Sequence, residues 1–219
     1  MLVKSVFVLE EIYKSKKVEN SEQFNLRIQR GLSWFKKAVQ LDDDLDLKFI
    51  SLWIGFNAVY AQELMNPSDP QGFEQFLGKV CQFDQQQKIY HLIWDKLNQS
   101  VRVLLVNPYV FQSFWDFQNK KISQTDWKGC FDLEKRRVHQ ALQSKDTVDL
   151  LFVIFNRLYT LRNQLMHGGA TYKSSLNRKQ LQDACHILVA LLPAFIHILL
   201  EHSKDLDLGK PFYPVVQVS

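Results

Sequence analysis

Apolar positions recur at helical spacing along most of the chain, and long polar stretches separate them into blocks. A first helix is predicted from Ser21, a serine of the N-cap type followed by Glu22, to about Gln40. Leu26, Trp34, Phe35 and Ala38 lie along it. Asp42, Asp43, Asp44 and Asp46 then gather carboxylates where the positive end of a second helix would favour them. That helix carries Phe49, Leu52, Trp53, Phe56, Val59 and Tyr60 and is expected to stop near Asn66 and Pro67. From Pro67 to Lys145 the pattern weakens, and short pieces are predicted over 71–82, 85–98, 108–118 and 132–143. This stretch, about 67–145, is read as an insertion. The strong signal returns at Asp146, where Leu150, Leu151, Ile154, Phe155, Leu158, Leu161 and Leu165 keep helical spacing up to His167, and Gly168-Gly169 has the form of a C-cap. A last helix is expected from about Asn177 to about His202, bent at Pro193. Two prolines after Gly209 predict an extended tail over 209–219. The pattern therefore predicts one all-α domain over 1–219, with core helices at about 21–66 and 146–202 and no internal repeat.

Composition supports a packed chain: 46% of the 219 residues are hydrophobic and 13% aromatic. The net charge of +4 is too small to name a partner, but its placement is uneven. From Thr147 to Lys179, Arg157, Arg162, Lys173, Arg178 and Lys179 face Asp149 alone. The segment is therefore read as an anion-binding surface, with Arg157, Lys173 and Arg178 as candidate RNA contacts. Cys81, Cys130 and Cys185 share no metal-ligand spacing and are read as buried, reduced thiols of a cytoplasmic protein. The apolar run Val6–Leu9 is too short for a secretory leader or a membrane span. The longer run Ile187–Leu200 contains Pro193 and His197 and is read as a buried core helix, so no membrane association is expected. No phosphate-cradling glycine loop, nucleophile elbow or paired-acid motif is present, which disfavours a kinase, serine hydrolase or glycosidase.

The candidate chemistry lies in Arg162-Asn163-Gln164-Leu165-Met166-His167-Gly168-Gly169. An arginine can hold a phosphate by two parallel hydrogen bonds and stabilise charge in a pentavalent transition state. A histidine at the negative end of a helix is placed to exchange a proton near neutral pH. RNA supplies its own nucleophile, the 2′-hydroxyl, so a site of Arg, His and an amide can cut it without a metal or cofactor, leaving a 2′,3′-cyclic phosphate. Asn163 and His167 are four apart and share a helix face. Arg162 and His167 differ by about 140° around the axis and roughly 7.5 Å along it, a spacing better suited to a site shared across a two-fold. A structural reading stands beside this one, with His167 as a helix cap and Arg162 pairing a core carboxylate.

The run from Leu158 to Gly169 resembles the signature of the HEPN superfamily, an arginine followed by four to six residues and a histidine, often with asparagine directly after the arginine. The segment Leu52-Trp53-Ile54-Gly55-Phe56-Asn57-Ala58-Val59-Tyr60 resembles an early helix of the Apea-like group in that superfamily. The two segments together make up 21 of the 219 residues. The resemblance implies an all-α bundle with an inserted set of short helices, a two-fold homodimer, and metal-independent endoribonuclease activity in toxin–antitoxin or phage-defence systems. It implies Arg162 and His167 as the catalytic pair, supported by Asn163, and an antitoxin such as a nucleotidyltransferase-like protein as partner. Some members of the superfamily bind RNA or a nucleotide without cutting it, which is the alternative function.

Other residues are weaker candidates. Lys120, Lys121, Lys128, Lys135, Arg136 and Arg137, with Trp127 and Phe131 among them, would be either a grip on single-stranded RNA or a solvated helix face. Asn57 and Tyr60 would orient polar groups of the motif helix or serve as buried structural residues. His186 and His197 are read as core or interface residues, and His91 and His139 have no ligand partners in view.

Overall fold

The computed structural model describes residues 2–62, 70–175 and 177–213, with only the backbone at 70 and 71. Among the described residues the regular structure is helical, as the periodicity predicts. The chain divides into two compact units, Met1–Lys88 with Leu188–Ser219, and Ile89–Ile187.

The first unit contains α1 (Leu2–Lys16), α2 (Glu22–Val39), α3 (Leu45–Tyr60), α4 (Pro70–Gln82) and the later turns of α10 (Arg178–Glu201). Local chemistry sets the starts of α2 and α3. The Ser21 hydroxyl accepts from the Phe24 amide at 3.2 Å, and the Asp44 carboxylate accepts from the Leu47 amide at 3.0 Å. Phe24, Ile28, Leu32 and Phe35 of α2 and Phe49, Leu52, Phe56 and Val59 of α3 are buried. Two glycines let these helices approach closely. A methyl group at Gly31 would lie 2.7 Å from Val59 Cγ2, and one at Gly55 would lie 3.4 Å from the Gly31 carbonyl oxygen and 3.0 Å from Leu192 of α10. Phe56, Tyr60, Phe73, Phe76 and Phe195 form one aromatic cluster beside them.

Arg27 is fully buried and pairs with no carboxylate among the described residues. Its guanidinium instead donates to the carbonyls of Val59 and Ala61 at the end of α3 and of Leu208 and Gly209 in the C-terminal segment, at 2.8–3.2 Å. Burial pushes its pKa down to about 10. This holds the start of the tail in place, where Gln62 and Pro211 form an isolated antiparallel bridge. The expected end of the second helix at Asn66 and Pro67 lies outside the described residues, as does the tail beyond Tyr213; the helix itself ends at Tyr60.

Helix α1 departs from the sequence reading, which assigned the N-terminal run no element. It buries Val6, Leu9 and Tyr13 on one side and leaves Val3 and Phe7 exposed. Helix α10 runs through Pro193. It is long and apolar enough to cross a membrane by length and composition, but 72% of its most apolar stretch is buried in the protein.

The second unit contains most of α5 (Lys88–His91), a π-helical turn (Leu92–Lys96), α6 (Asn98–Val106), a 3-10 turn (Pro108–Val110), α7 (Gln112–Gln118), α8 (Gln124–Ser144), α9 (Thr147–Met166) and the start of α10. The sequence reading saw only the later half of α8 and missed α6. The capping box of Ser123 and Asp126 starts α8, in which Trp127 is half-buried and Phe131 and Ala141 are the buried residues. Asp146 caps α9, accepting from the Asp149 amide at 3.0 Å. Helix α9 packs on α6, α8 and the 3-10 turn, and Leu150, Ile154, Leu158 and Leu161 are among its buried residues.

Candidate functional site at the end of the ninth helix

Helix α9 stops by a two-bond C-cap. The Gly169 amide donates to the Gln164 carbonyl at 2.7 Å and the Gly168 amide to the Leu165 carbonyl at 3.2 Å, with Gly168 in the left-handed region at φ +72°. His167 is the capping residue, its backbone amide bonded to the Asn163 carbonyl at 3.0 Å. The cap thus sets the direction of the His167 side chain, which is exposed. Among the described residues nothing hydrogen-bonds its imidazole.

Arg162 is half-buried. Its guanidinium donates to the Asn163 side-chain oxygen at 2.9 Å and lies 5.9 Å from the centroid of the Tyr159 ring. Helical geometry places Asn156, Tyr159, Asn163, Met166 and His167 within an arc of about 100°, with Arg162 just outside it on the edge away from His167. Tyr159 is 41% exposed and Met166 55%. The outer face of α9 therefore carries apolar surface between a cation and an imidazole.

Gln164, on the other side of α9, fixes what surrounds this face. Its side-chain amide donates to the Tyr109 carbonyl at 2.6 Å, and its side-chain oxygen accepts from the Asn177 amide group at 2.9 Å. The Trp115 indole donates to the same Tyr109 carbonyl at 2.7 Å. With the Gly169 bond to its backbone carbonyl, Gln164 ties the 3-10 turn, the α9 cap and the end of the 168–177 loop together. The sequence reading missed Gln164 and Tyr109 because their bond spans 55 residues and no local pattern records it.

The cations expected to bind RNA do not share one environment. Arg157 is a correction: it is 2% exposed and belongs to the core. Its Nη2 lies 2.5 Å from the Glu134 carboxylate and 3.3 Å from the Leu105 carbonyl, and its guanidinium packs on the Phe111 and Phe131 rings at 4.5 and 5.3 Å. Burial pushes the Arg157 pKa down to about 10, against the pull of Glu134, and raises that of Glu134 despite the arginine. Lys173 is exposed, with Nζ 5.4 Å from the Tyr172 ring centroid. Arg178 is half-buried and donates from Nε to the Ser174 carbonyl at 3.0 Å, bracing the loop. Lys179 is paired with Asp183 at 3.1 Å, and Asp149 with Arg137.

The basic run before α9 also reads differently in three dimensions. Trp127 packs among Phe114, Phe117 and Phe131, and Phe131 is buried. These aromatics face inward, so the run is a solvated helix face over a ring cluster and no stacking platform. Tyr60 belongs to the aromatic cluster of the first unit, and Asn57 bonds through its carbonyl to the Ala61 amide. His186 is exposed, with Nδ1 3.2 Å from the Ser100 hydroxyl, and so is not a core residue. His91 bonds Asp95 at 2.7 Å. Cys185 is buried as expected, whereas Cys81 is half-buried and Cys130 exposed.

No protein-family model, curated protein or solved structure matches the chain.

Proposed function

We propose that the chain is a HEPN-type, metal-independent endoribonuclease that acts as a cytoplasmic homodimer, in a toxin–antitoxin or phage-defence setting. One observation carries this reading: the outer face of α9 presents an exposed, unbonded His167 imidazole and a partly exposed Arg162, separated by the apolar surface of Tyr159 and Met166. A second copy laid across that face would cover the apolar surface and bring the Arg162 of one protomer towards the His167 of the other. The angular separation of the two side chains on a single helix favours such a shared site.

In the proposed reaction the 2′-hydroxyl of one nucleotide attacks the adjacent phosphorus as the bond to the 5′-oxygen breaks. His167 moves a proton during this exchange. Arg162 neutralises charge gathering on the non-bridging oxygens, and Asn163 orients it through the 2.9 Å bond already present. The products are a 2′,3′-cyclic phosphate and a 5′-hydroxyl.

The same bond also favours a second reading. A guanidinium engaged by Asn163 and Tyr159 suits a pocket that holds RNA or a nucleotide without turnover.

Cleavage of a mixed RNA pool in EDTA, by wild type and by His167→Ala, tests the first reading, with folding and dimerisation checked for both. Cuts ending in 2′,3′-cyclic phosphate from wild type alone support it. A folded wild-type protein that binds RNA and leaves it intact favours the second.

A further inference from the structure

We propose that Tyr109 and Tyr172 are base-stacking side chains beside the His167 end of α9, so that this surface takes an unpaired RNA strand and not a duplex. The inference rests on the reading of this helix end as an RNA site, and deepens it by naming residues outside the motif and the form of RNA they select.

Large aromatic rings are normally at least half-buried, and most rings in the second unit follow that rule. Phe111 and Phe131 are in the core, and Trp127 lies within a ring cluster. Tyr109 and Tyr172 are exceptions, 50% and 61% exposed, as is Tyr159 of the motif helix at 41%. Both are tied to the end of α9 through Gln164. The carbonyl of Tyr109 accepts from the Gln164 side chain, and Tyr172 sits on a loop fastened at both ends to that same residue, by Gly169 and by Asn177. The Tyr109 ring is held edge-on by Phe114 at 5.3 Å, so it is presented on a fixed support.

A cation accompanies the second ring. Lys173 Nζ lies 5.4 Å from the Tyr172 centroid, as Arg162 lies 5.9 Å from that of Tyr159. A ring with a neighbouring cation matches one nucleotide: the base stacks on the ring and the phosphate meets the charge. Only unpaired bases have a free face to offer. In a duplex the faces are stacked on one another, and a protein meets backbone and base edges. Gln164 is accordingly a positioning residue, acting through Tyr109 and the loop.

The test uses the full chain and a short, fluorescently labelled 2′-O-methyl RNA, which lacks the nucleophile and survives any nuclease activity. Binding is read by anisotropy at one fixed ionic strength, for the single strand and for the same strand annealed to its complement. Wild type should bind the single strand more tightly. Tyr172→Ala and Tyr109→Ala should each weaken that binding by about tenfold, with Tyr172→Phe and Tyr109→Phe close to wild type. Because Tyr109 also contacts Phe114, folding of each variant is confirmed by its melting curve, and Tyr172, in the exposed loop, decides the matter.

Equal affinity for strand and duplex, failure of wild type to bind either, or unchanged binding by a folded Tyr172→Ala would overturn the proposal. The cleavage assay separates this from the wider reading. Cyclic-phosphate cuts with no tyrosine dependence leave the nuclease standing and remove the stacking role. Tyrosine-dependent binding with no cuts does the reverse.

Discussion

The guanidinium of Arg157 lies 2.5 Å from the carboxylate of Glu134, and between them they join α8 to α9 inside the second unit. The arginine is 2% exposed, the glutamate side chain 20%, and the Arg157 Nε and Nη1 atoms have ring faces beside them but no hydrogen-bond acceptor among the described residues. Removing one partner strands the other charge in a poorly solvated place. Glu134→Ala should therefore lower stability by about 3 kcal/mol, measured by urea unfolding. Replacing both, as Glu134→Leu with Arg157→Met, should recover most of the loss, since neither new side chain needs a partner. An arginine that bound RNA from the surface would give another result: Arg157→Met alone would leave stability unchanged and weaken RNA binding.

Gly168 and Gly169 should fail for separate reasons when replaced. Gly168 sits at φ +72°, where an alanine is strained by about 1–2 kcal/mol, and Gly168→Asn should cost less. Gly169 needs space: a methyl group there would lie 2.9 Å from the Gln164 backbone carbonyl oxygen, a fixed atom of the helix. Gly169→Ala should break the bond that closes the cap. Both alanine variants should melt earlier than wild type. Gly169→Ala should also reduce RNA cleavage or binding more than its stability loss explains, because the cap directs His167 and the Tyr172 loop. Melting curves beside RNA assays at a temperature where both variants are folded check this.

The parts of the fold legible in the sequence are those set by neighbouring residues. Ser21, Asp44 and Asp146 cap helices with their own side chains, and Gly168 ends α9 through its own backbone, so each could be read in place. Helix α1 was harder because it buries Val6, Leu9 and Tyr13 but exposes Val3 and Phe7, which blurs its stripe. The first half of α8 has one buried side chain, Phe131, beside the half-buried Trp127, too few to form a helical stripe. The site divides along the same line. Arg162, Asn163 and His167 lie within six residues of one another and could be found together. Counting charge along the chain could not show that Arg157 turns inward, since its counter-ion is on another helix. Nor could it show that Gln164 reaches Tyr109, a bond created by tertiary packing.

His197 should make the first unit lose stability as pH falls below about 6.5, the ordinary value for histidine. The imidazole is half-buried on α10. Lys88 Nζ lies 3.0 Å from Nδ1 and 3.1 Å from Nε2, and the Glu201 carboxylate lies 3.0 Å from Nδ1. A neutral ring can accept from the ammonium, whereas an imidazolium sets two like charges side by side. Burial lowers the His197 pKa, and Lys88 and the more distant Lys16 push the same way against Glu201; Lys4 lines the same groove. The folded pKa therefore lies below the unfolded one. Above the unfolded value neither state takes up the proton and the stability is fully present. As pH falls through that value the unfolded chain protonates first, stability drops, and the drop levels off below the folded pKa. Carboxylates titrating at lower pH add their own slope, so the informative quantity is a difference. Urea unfolding of wild type and His197→Asn at about pH 7.5, 6.5, 6.0 and 5.5 should show the wild type losing more stability than the variant. Equal slopes would mean that the imidazole titrates alike in both states and that Lys88 does not oppose its charge.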